Sequence, residues 1–316
     1  MLKKMYIKKV MVATLALVAL FLLYLMPDTN RNSNIIQENL EYVTSTNQEV
    51  IYLLDENDYV ARVTMNSEYI KPKDLALDVL AGLIIDGEKS HIIPNGFRSI
   101  IPSGTKILNL NLENEILTIN FSKKLLEVNV ADEEKMIESI VYSLTSIEGI
   151  NKIIIQVEGK NLEKLPHSQK SISMPLDKSY GINKKYDLTT TKDIESYTVY
   201  YVSQINDTKY YVPVTKYINK NSNDKIKMII DELSTSPIYE TNLMSYLDAN
   251  VSLIDYSLDQ EKLKLNFNDA ILSDKNDHIL EEVIYTISLS AQNNFPIKEV
   301  IFCVNNKKIY NASDIS

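Results

Sequence analysis

The chain has 316 residues, 45% hydrophobic and 24% charged, an ordinary globular composition with room for about two domains. Seven glycines without a G-x-G pair exclude a glycine-rich phosphate or dinucleotide cradle. A single cysteine, Cys303, excludes an intramolecular disulfide and a multi-cysteine zinc site. The net charge is −9, and removing the four amino-terminal lysines leaves −13 on the rest, which argues against a nucleic-acid partner.

The first element is an apolar run from Val10 to Met26, uncharged throughout and preceded by Lys3, Lys4, Lys8 and Lys9. Its seventeen residues match a short membrane-spanning helix. The lysines place residues 1–9 in the cytoplasm and the acidic body outside. The run ends on bulky residues, Leu23-Tyr24-Leu25-Met26, without the small-x-small site of a cleaved signal peptide. The sequence therefore predicts an uncleaved single-pass anchor in the cell membrane over residues 10–26, then a polar linker over 27–48.

The remainder repeats itself. Ile51-Tyr52-Leu53-Leu54 corresponds to Val199-Tyr200-Tyr201-Val202, and Tyr59, Ala61 and Val63 correspond to Tyr210, Val212 and Val214. Alternation marks these as half-buried strands, and Pro213 assigns the later one to a sheet edge. Each copy continues with an amphipathic helix, carrying Ala76, Val79, Leu80 and Leu83 or Ile226, Ile229, Ile230 and Leu233. Pro72 suits a first helical turn, and Asn221 to Asp224 offer caps. A hairpin follows, with Leu108, Leu110, Leu112, Leu117, Ile119 and Phe121 in one copy. Its counterparts are Ile254, Tyr256, Leu258, Leu263, Leu265 and Phe267, all offset by 146. Period two on both arms predicts one packed face and one wet face. A second helix carries Ile137, Ile140, Val141 and Leu144, or Leu280, Val283, Ile284 and Ile287, with Asp132 and Asp277 as expected caps. A last strand carries Ile153, Ile155 and Val157, or Val300, Phe302 and Val304.

The fold class is therefore α+β: a tandem repeat of two ββαββαβ domains, each a mainly antiparallel sheet with two helices on one face, after the transmembrane helix. The first domain spans 49–158 and the second 196–307. Residues 159–195 form an interdomain segment with too little apolar periodicity for a core element, and 308–316 a tail. That segment either packs across the domains through Met174, Leu176 and Tyr180 or serves as a loose spacer.

Three stretches resemble the GerM domain family: Leu117-Thr118-Ile119-Asn120-Phe121-Ser122, the helical Ile140-Val141-Tyr142-Ser143-Leu144-Thr145, and Gly149 to Lys160. Ile101-Pro102-Ser103-Gly104-Thr105 is similar to that family's Pro-x-Gly-Thr turn, which the second copy lacks. The second copy keeps Asn266-Phe267-Asn268, Ile284-Tyr285-Thr286-Ile287-Ser288 and Val300 to Lys307. The resemblance implies a non-enzymatic envelope protein of a spore-forming bacterium of Gram-positive type, acting in sporulation or germination. It also implies envelope or sporulation-complex proteins as partners, proximity to peptidoglycan, and domains like the ring-building modules of secretion-type assemblies. The family's founding member is a lipoprotein, and this chain lacks the cysteine that would directly follow its apolar run.

No catalytic, cofactor-binding or metal-binding constellation stands out. His91, His167 and His278 lie far apart and outside any H-E-x-x-H pattern, and G-x-S-x-G is absent. Glu133-Glu134 and Glu281-Glu282 read as helix-opening or solvated charges. The candidate interaction residues are Asn120 and Asn266, which precede equivalent phenylalanines, and the apolar loop with Ile92, Ile93, Pro94 and Phe97. The same residues also have plain structural readings, as turn caps and as a loop folded on the core. Three function classes remain: an assembly or adaptor protein, an extracytoplasmic ligand- or cell-wall-binding module, and a two-carboxylate cell-wall hydrolase.

Overall fold

The computed structural model describes residues 47–220, 224–235, 242–273 and 278–313. The basic segment, the expected anchor, the linker as far as residue 46 and the expected cap Asp277 lie outside the described residues. Among the described residues no helix is long and apolar enough to cross a membrane.

The first repeat runs β1 (Asn47–Asp55), β2 (Val60–Ser67), α1 (Pro72–Leu83), β3 (Phe97–Arg98), β4 (Ile107–Glu113), β5 (Ile116–Phe121), α2 (Glu133–Leu144) and β6 (Lys152–Val157). Then come β7 (Lys160–Asn161) and β8 (Lys185–Asp187). The second repeat runs β9 (Ile194–Ile205), β10 (Thr208–Asn219), α3 (Lys225–Thr235), β11 (Leu253–Asp259), β12 (Lys262–Phe267), α4 (Glu281–Asn294), β13 (Glu299–Val304) and β14 (Lys307–Ser313). Pro72 opens α1 as its fixed φ favours. Asp224 caps α3, its Oδ1 accepting the Lys227 N–H at 2.9 Å. Asp132 precedes α2 without a side-chain cap, and Leu280, not an acid, precedes α4.

The strand arrangement departs from one mainly antiparallel sheet per repeat. Each repeat contributes its later strands to a four-stranded mixed sheet, β4-β5-β6-β7 or β11-β12-β13-β14. The helical crossover returns the chain in its original direction, so β6 lies parallel to β5 and β13 parallel to β12. The expected tail is strand β14, turned back on β13 by Asn305 and Asn306 at φ 48° and 68°. Both angles suit a two-residue hairpin turn.

The opening hairpins of the two repeats belong to one shared sheet. Tyr211 of β10 pairs antiparallel with Arg62 of β2, so the two second strands meet about a local dyad. Pro213 is therefore not at a sheet edge. β10 has β9 along one side, and β2 and β8 share the other. The place of the absent proline N–H is taken by the Asn183 amide. Its Nδ2 donates to Val60 O at 2.8 Å and Pro213 O at 2.7 Å, while its Oδ1 accepts from Val60 N–H at 2.9 Å.

The later helices run along strand edges as well as covering the core. Ser143 Oγ of α2 accepts the Tyr52 N–H at 2.8 Å, and Ser139 O–H donates to Tyr52 O. In α4, Ser290 Oγ accepts the Tyr200 N–H at 2.8 Å, and Asn294 bonds both backbone groups of Thr198. Side chains thus replace the next strand and close an edge that would otherwise invite another chain.

Two apolar cores result. The first joins Tyr52, Leu80, Phe121, Ile140 and Ile155 with Leu162, Leu165, Ile172, Leu176 and Ile182 of the interdomain segment. The segment therefore packs rather than spaces. The second core holds Val199, Ile230, Phe267, Ile287 and Phe302, and Ala61 of the first repeat reaches into it. Cys303 is buried on β13.

Candidate functional site

The expected docking loop is partly used inside the molecule. Phe97 packs edge-on against Tyr210 of the second repeat, with ring centroids 4.9 Å apart, and touches both cores. Gly96 has φ +88°, and a Cβ there would sit 2.6 Å from Ile205 Cδ1, so only glycine permits this approach. Ile93 is partly buried on the first core, whereas Ile92 and Pro94 are exposed.

Asn120 and Asn266 do equivalent work on turns. Asn120 Oδ1 accepts the Gly159 N–H at 2.8 Å, and Asn266 Oδ1 accepts the Asn306 N–H at 2.8 Å. Each amide locks the turn after the last core strand of its repeat. Asn266 is fully buried and also donates to Asp255 and Asn306. The structure does not bring these two amides and the apolar loop into one surface.

The free sheet edges distinguish the repeats. β4 and β11 are both outer strands. A bulge near the start of each takes Leu108 and Ile254 out of the face that the following residues share, and both are exposed, so the expected packing of three apolar residues per strand does not hold. In β4, Leu108 at the bulge is 48% exposed, but Leu110 is only 5% exposed and α1 packs nearby. In β11, Ile254, Tyr256 and Leu258 are 54%, 39% and 46% exposed. Tyr256 and Leu258 share one strand face, opposite Leu265 and Leu263, and Ile254 stands at the bulge, all beside a backbone edge that no described strand pairs.

Carboxylates serve structure where they cluster. Glu133 accepts the backbone N–H groups of His167 and Ser168 at 2.8 and 3.0 Å, fastening the interdomain segment to α2. Glu134 and Glu138 both approach Lys184 Nζ, at 2.7 and 3.3 Å. Burial pushes the Glu138 carboxyl up to about 7, and its Oε2 accepts the Asn183 N–H at 2.9 Å. Glu134 and Glu138 both line a pocket of about 320 Å³ together with Lys184 and Tyr186. Among the described residues no group of His, Cys, Asp and Glu has metal-site geometry.

A duplicated α+β module with helix-sealed strands, two cores and one joining sheet defines a tandem-domain protein. The family model for sporulation and spore germination (Germane) matches residues 50–163 and 198–310. Over 276 residues the chain is 31% identical to the spore germination protein GerM of Bacillus subtilis (strain 168), covering 84% of this chain and 74% of that one. The solved structure of the tandem GerMN domains of the sporulation protein GerM from Bacillus subtilis aligns with TM-score 0.77 and 28% identity. That alignment covers 85% of this chain and 97% of the other. The chain belongs to the GerM family of sporulation and spore germination proteins.

Proposed function

We propose that the protein is a membrane-tethered, non-enzymatic adaptor of an extracytoplasmic sporulation or germination complex, docking partner proteins by strand addition at β11. The observation that carries this reading is the outer edge of β11 with Ile254, Tyr256 and Leu258 exposed beside it. A partner strand gains main-chain hydrogen bonds from the edge and apolar contacts from Tyr256 and Leu258 on one face, with Ile254 at the bulge. The shared sheet supports the reading too, since it holds both repeats as one body and keeps the edge in a fixed orientation. The apolar run Val10 to Met26 supports tethering, with the body outside the cytoplasm.

The test is photocrosslinking from positions 254 and 256 in sporulating cells. Adducts with envelope proteins are expected; adducts only with lipid or glycan overturn the adaptor reading. Sequencing the amino terminus of the membrane-extracted protein tests the tether, and a start near Asp28 overturns it.

A further inference from the structure

The cleft where the two repeats meet carries a second inference: we propose that it binds a compact oxyanion of the phosphate class between Arg62 and Lys178. The cleft has a volume of about 160 Å³. Tyr52 and Arg62 line it from the first repeat, Ser146 from the end of α2, Lys178 from the interdomain segment, and Tyr200 and Asn293 from the second repeat. The space suits several water-sized groups.

Charge is the decisive feature. Arg62 is only 9% exposed. Its one side-chain hydrogen bond among the described residues runs from Nη1 to Thr64 Oγ1 at 3.1 Å. A guanidinium offers five N–H donors in a plane, so most of its capacity is unspent. Lys178 lines the same cleft, and no aspartate or glutamate does. Among the described residues neither cation lies within ion-pair distance of a carboxylate, although Lys89, Lys184 and Lys216 all do. Arg62 is buried and Lys178 half-buried, and cations so placed are ordinarily paired, because an uncompensated one is costly to desolvate. Burial and the Arg62 charge push Lys178 down to about 8, so the two groups repel across the cleft.

The neighbouring phenols do not compensate this charge. Tyr52 and Tyr200 share a hydrogen bond of 2.8 Å, and burial raises both above the ordinary tyrosine range, so they are neutral at physiological pH. A mobile anion does compensate it. An oxyanion receives charge-assisted bonds from both cations and matches the planar guanidinium fork. Ser146 also lines the cleft, but its hydroxyl is already donated to Tyr142 O at 2.8 Å, which leaves the two cations as the principal donors. Asn293 Oδ1 is buried without a partner, and a half-turn of that amide presents N–H donors instead. Donors from Arg62, Lys178 and the turned Asn293 amide come from three elements and favour a tetrahedral anion over a planar carboxylate.

The cations are not by-products of duplication. Tyr52 and Tyr200 are repeat counterparts, as are Ser146 and Asn293, each three residues beyond the strand-sealing Ser143 and Ser290. Arg62 corresponds to Pro213 in the aligned hairpins, and Lys178 lies in the segment between the repeats. A symmetric frame has thus acquired an asymmetric pair of positive charges.

The experiment is calorimetric melting of the full-length chain in detergent. Inorganic phosphate is titrated at constant ionic strength against sodium chloride, with sn-glycerol 1-phosphate as a second arm. A ligand held only by the folded state raises the melting temperature saturably. Phosphate is expected to do so, and Lys178→Gln and Arg62→Gln to weaken the apparent affinity about tenfold or more. Lys178→Gln should also raise the phosphate-free melting temperature, because it removes an uncompensated charge. A response to the ester supports a headgroup or wall-polymer phosphate as the source; a response to phosphate alone supports the free ion. Equal melting in phosphate and chloride, or an unchanged phosphate response in Lys178→Gln, overturns the proposal. Should Arg62→Gln fail to fold, the Lys178→Gln titration decides alone.

Discussion

The two repeats share an interior and differ at their margins. Ser143 and Ser290 seal equivalent strand edges, Phe121 and Phe267 fill equivalent core positions, and Asn120 and Asn266 lock equivalent turns. The first repeat gains five apolar residues from the interdomain segment and buries Leu110 of its outer strand. The second leaves the face of β11 exposed. Packing constrains the shared parts, because a core tolerates little change in volume. The margins carry no such constraint, so they are where two copies of one module acquire different tasks.

The largest expected effect tests the likeness of the interiors. Phe121→Ala and Phe267→Ala should each cost about 3–5 kcal/mol, as for any buried aromatic. The sheet joining β2 to β10 couples the copies, so either change should lower a single calorimetric transition. Two separable transitions, the behaviour of independent domains, would break the comparison.

Asn183→Ala comes next. It strips the Val60 N–H and two carbonyls of their partners and leaves alanine at φ 45°. About 2–3 kcal/mol should be lost in chemical denaturation. A loss like that of an ordinary surface change would show that the dyad does not hold the repeats together.

A pH effect singles out the first repeat. Burial, then the nearby Asp78 charge, push Glu49 from 4.5 up to about 7 despite Lys89 beside it. The folded chain therefore binds a proton more tightly than the unfolded one between those values. Glu49 thus lowers stability as pH rises from 4.5 to 7, by on the order of 2 kcal/mol. Glu49→Gln should flatten this slope in denaturation curves, leaving the part due to Glu138, which burial raises to the same value. An unaltered slope would refute the assignment.

The smallest stability effect belongs to β11. Ile254→Lys should change stability by about 0.5 kcal/mol or less, because the residue is already exposed. It should nonetheless abolish protein crosslinks at that edge. Retained crosslinks would remove β11 from the docking surface.

Much of this frame was legible in the sequence. The alternation ending in Phe121 and Phe267, and the stripes through Ile140 and Ile284, announced strands and helices twice over. Period two states which face of a strand is buried but not which strand lies beside it, so the sharing of a sheet was hidden. Pro213 pointed to an edge because its missing donor was visible, whereas Asn183, which fills that place, lies thirty residues away. Leu162, Leu165, Ile172, Leu176 and Ile182 occupy irregular backbone and show no period, although they enter a core. Ser139 and Ser143 gave a faint signal, a four-residue spacing that places two small hydroxyls on one helix face. Of the candidate interaction residues, Asn120, Asn266 and Phe97 serve internal contacts, and only Ile92 and Pro94 stand clear. Nothing in the linear chain placed Arg62 opposite Lys178.

The dyad between β2 and β10 also bears on descent. Like strands pairing about a two-fold is how two identical chains associate, and there every substitution appears on both sides at once. Joining the copies in one chain removes that restriction. A proline can then be fixed on one strand while its counterpart remains an arginine, and one asparagine can mend the gap on one side alone. Covalent union thus turns a contact between equals into one whose halves inherit changes separately.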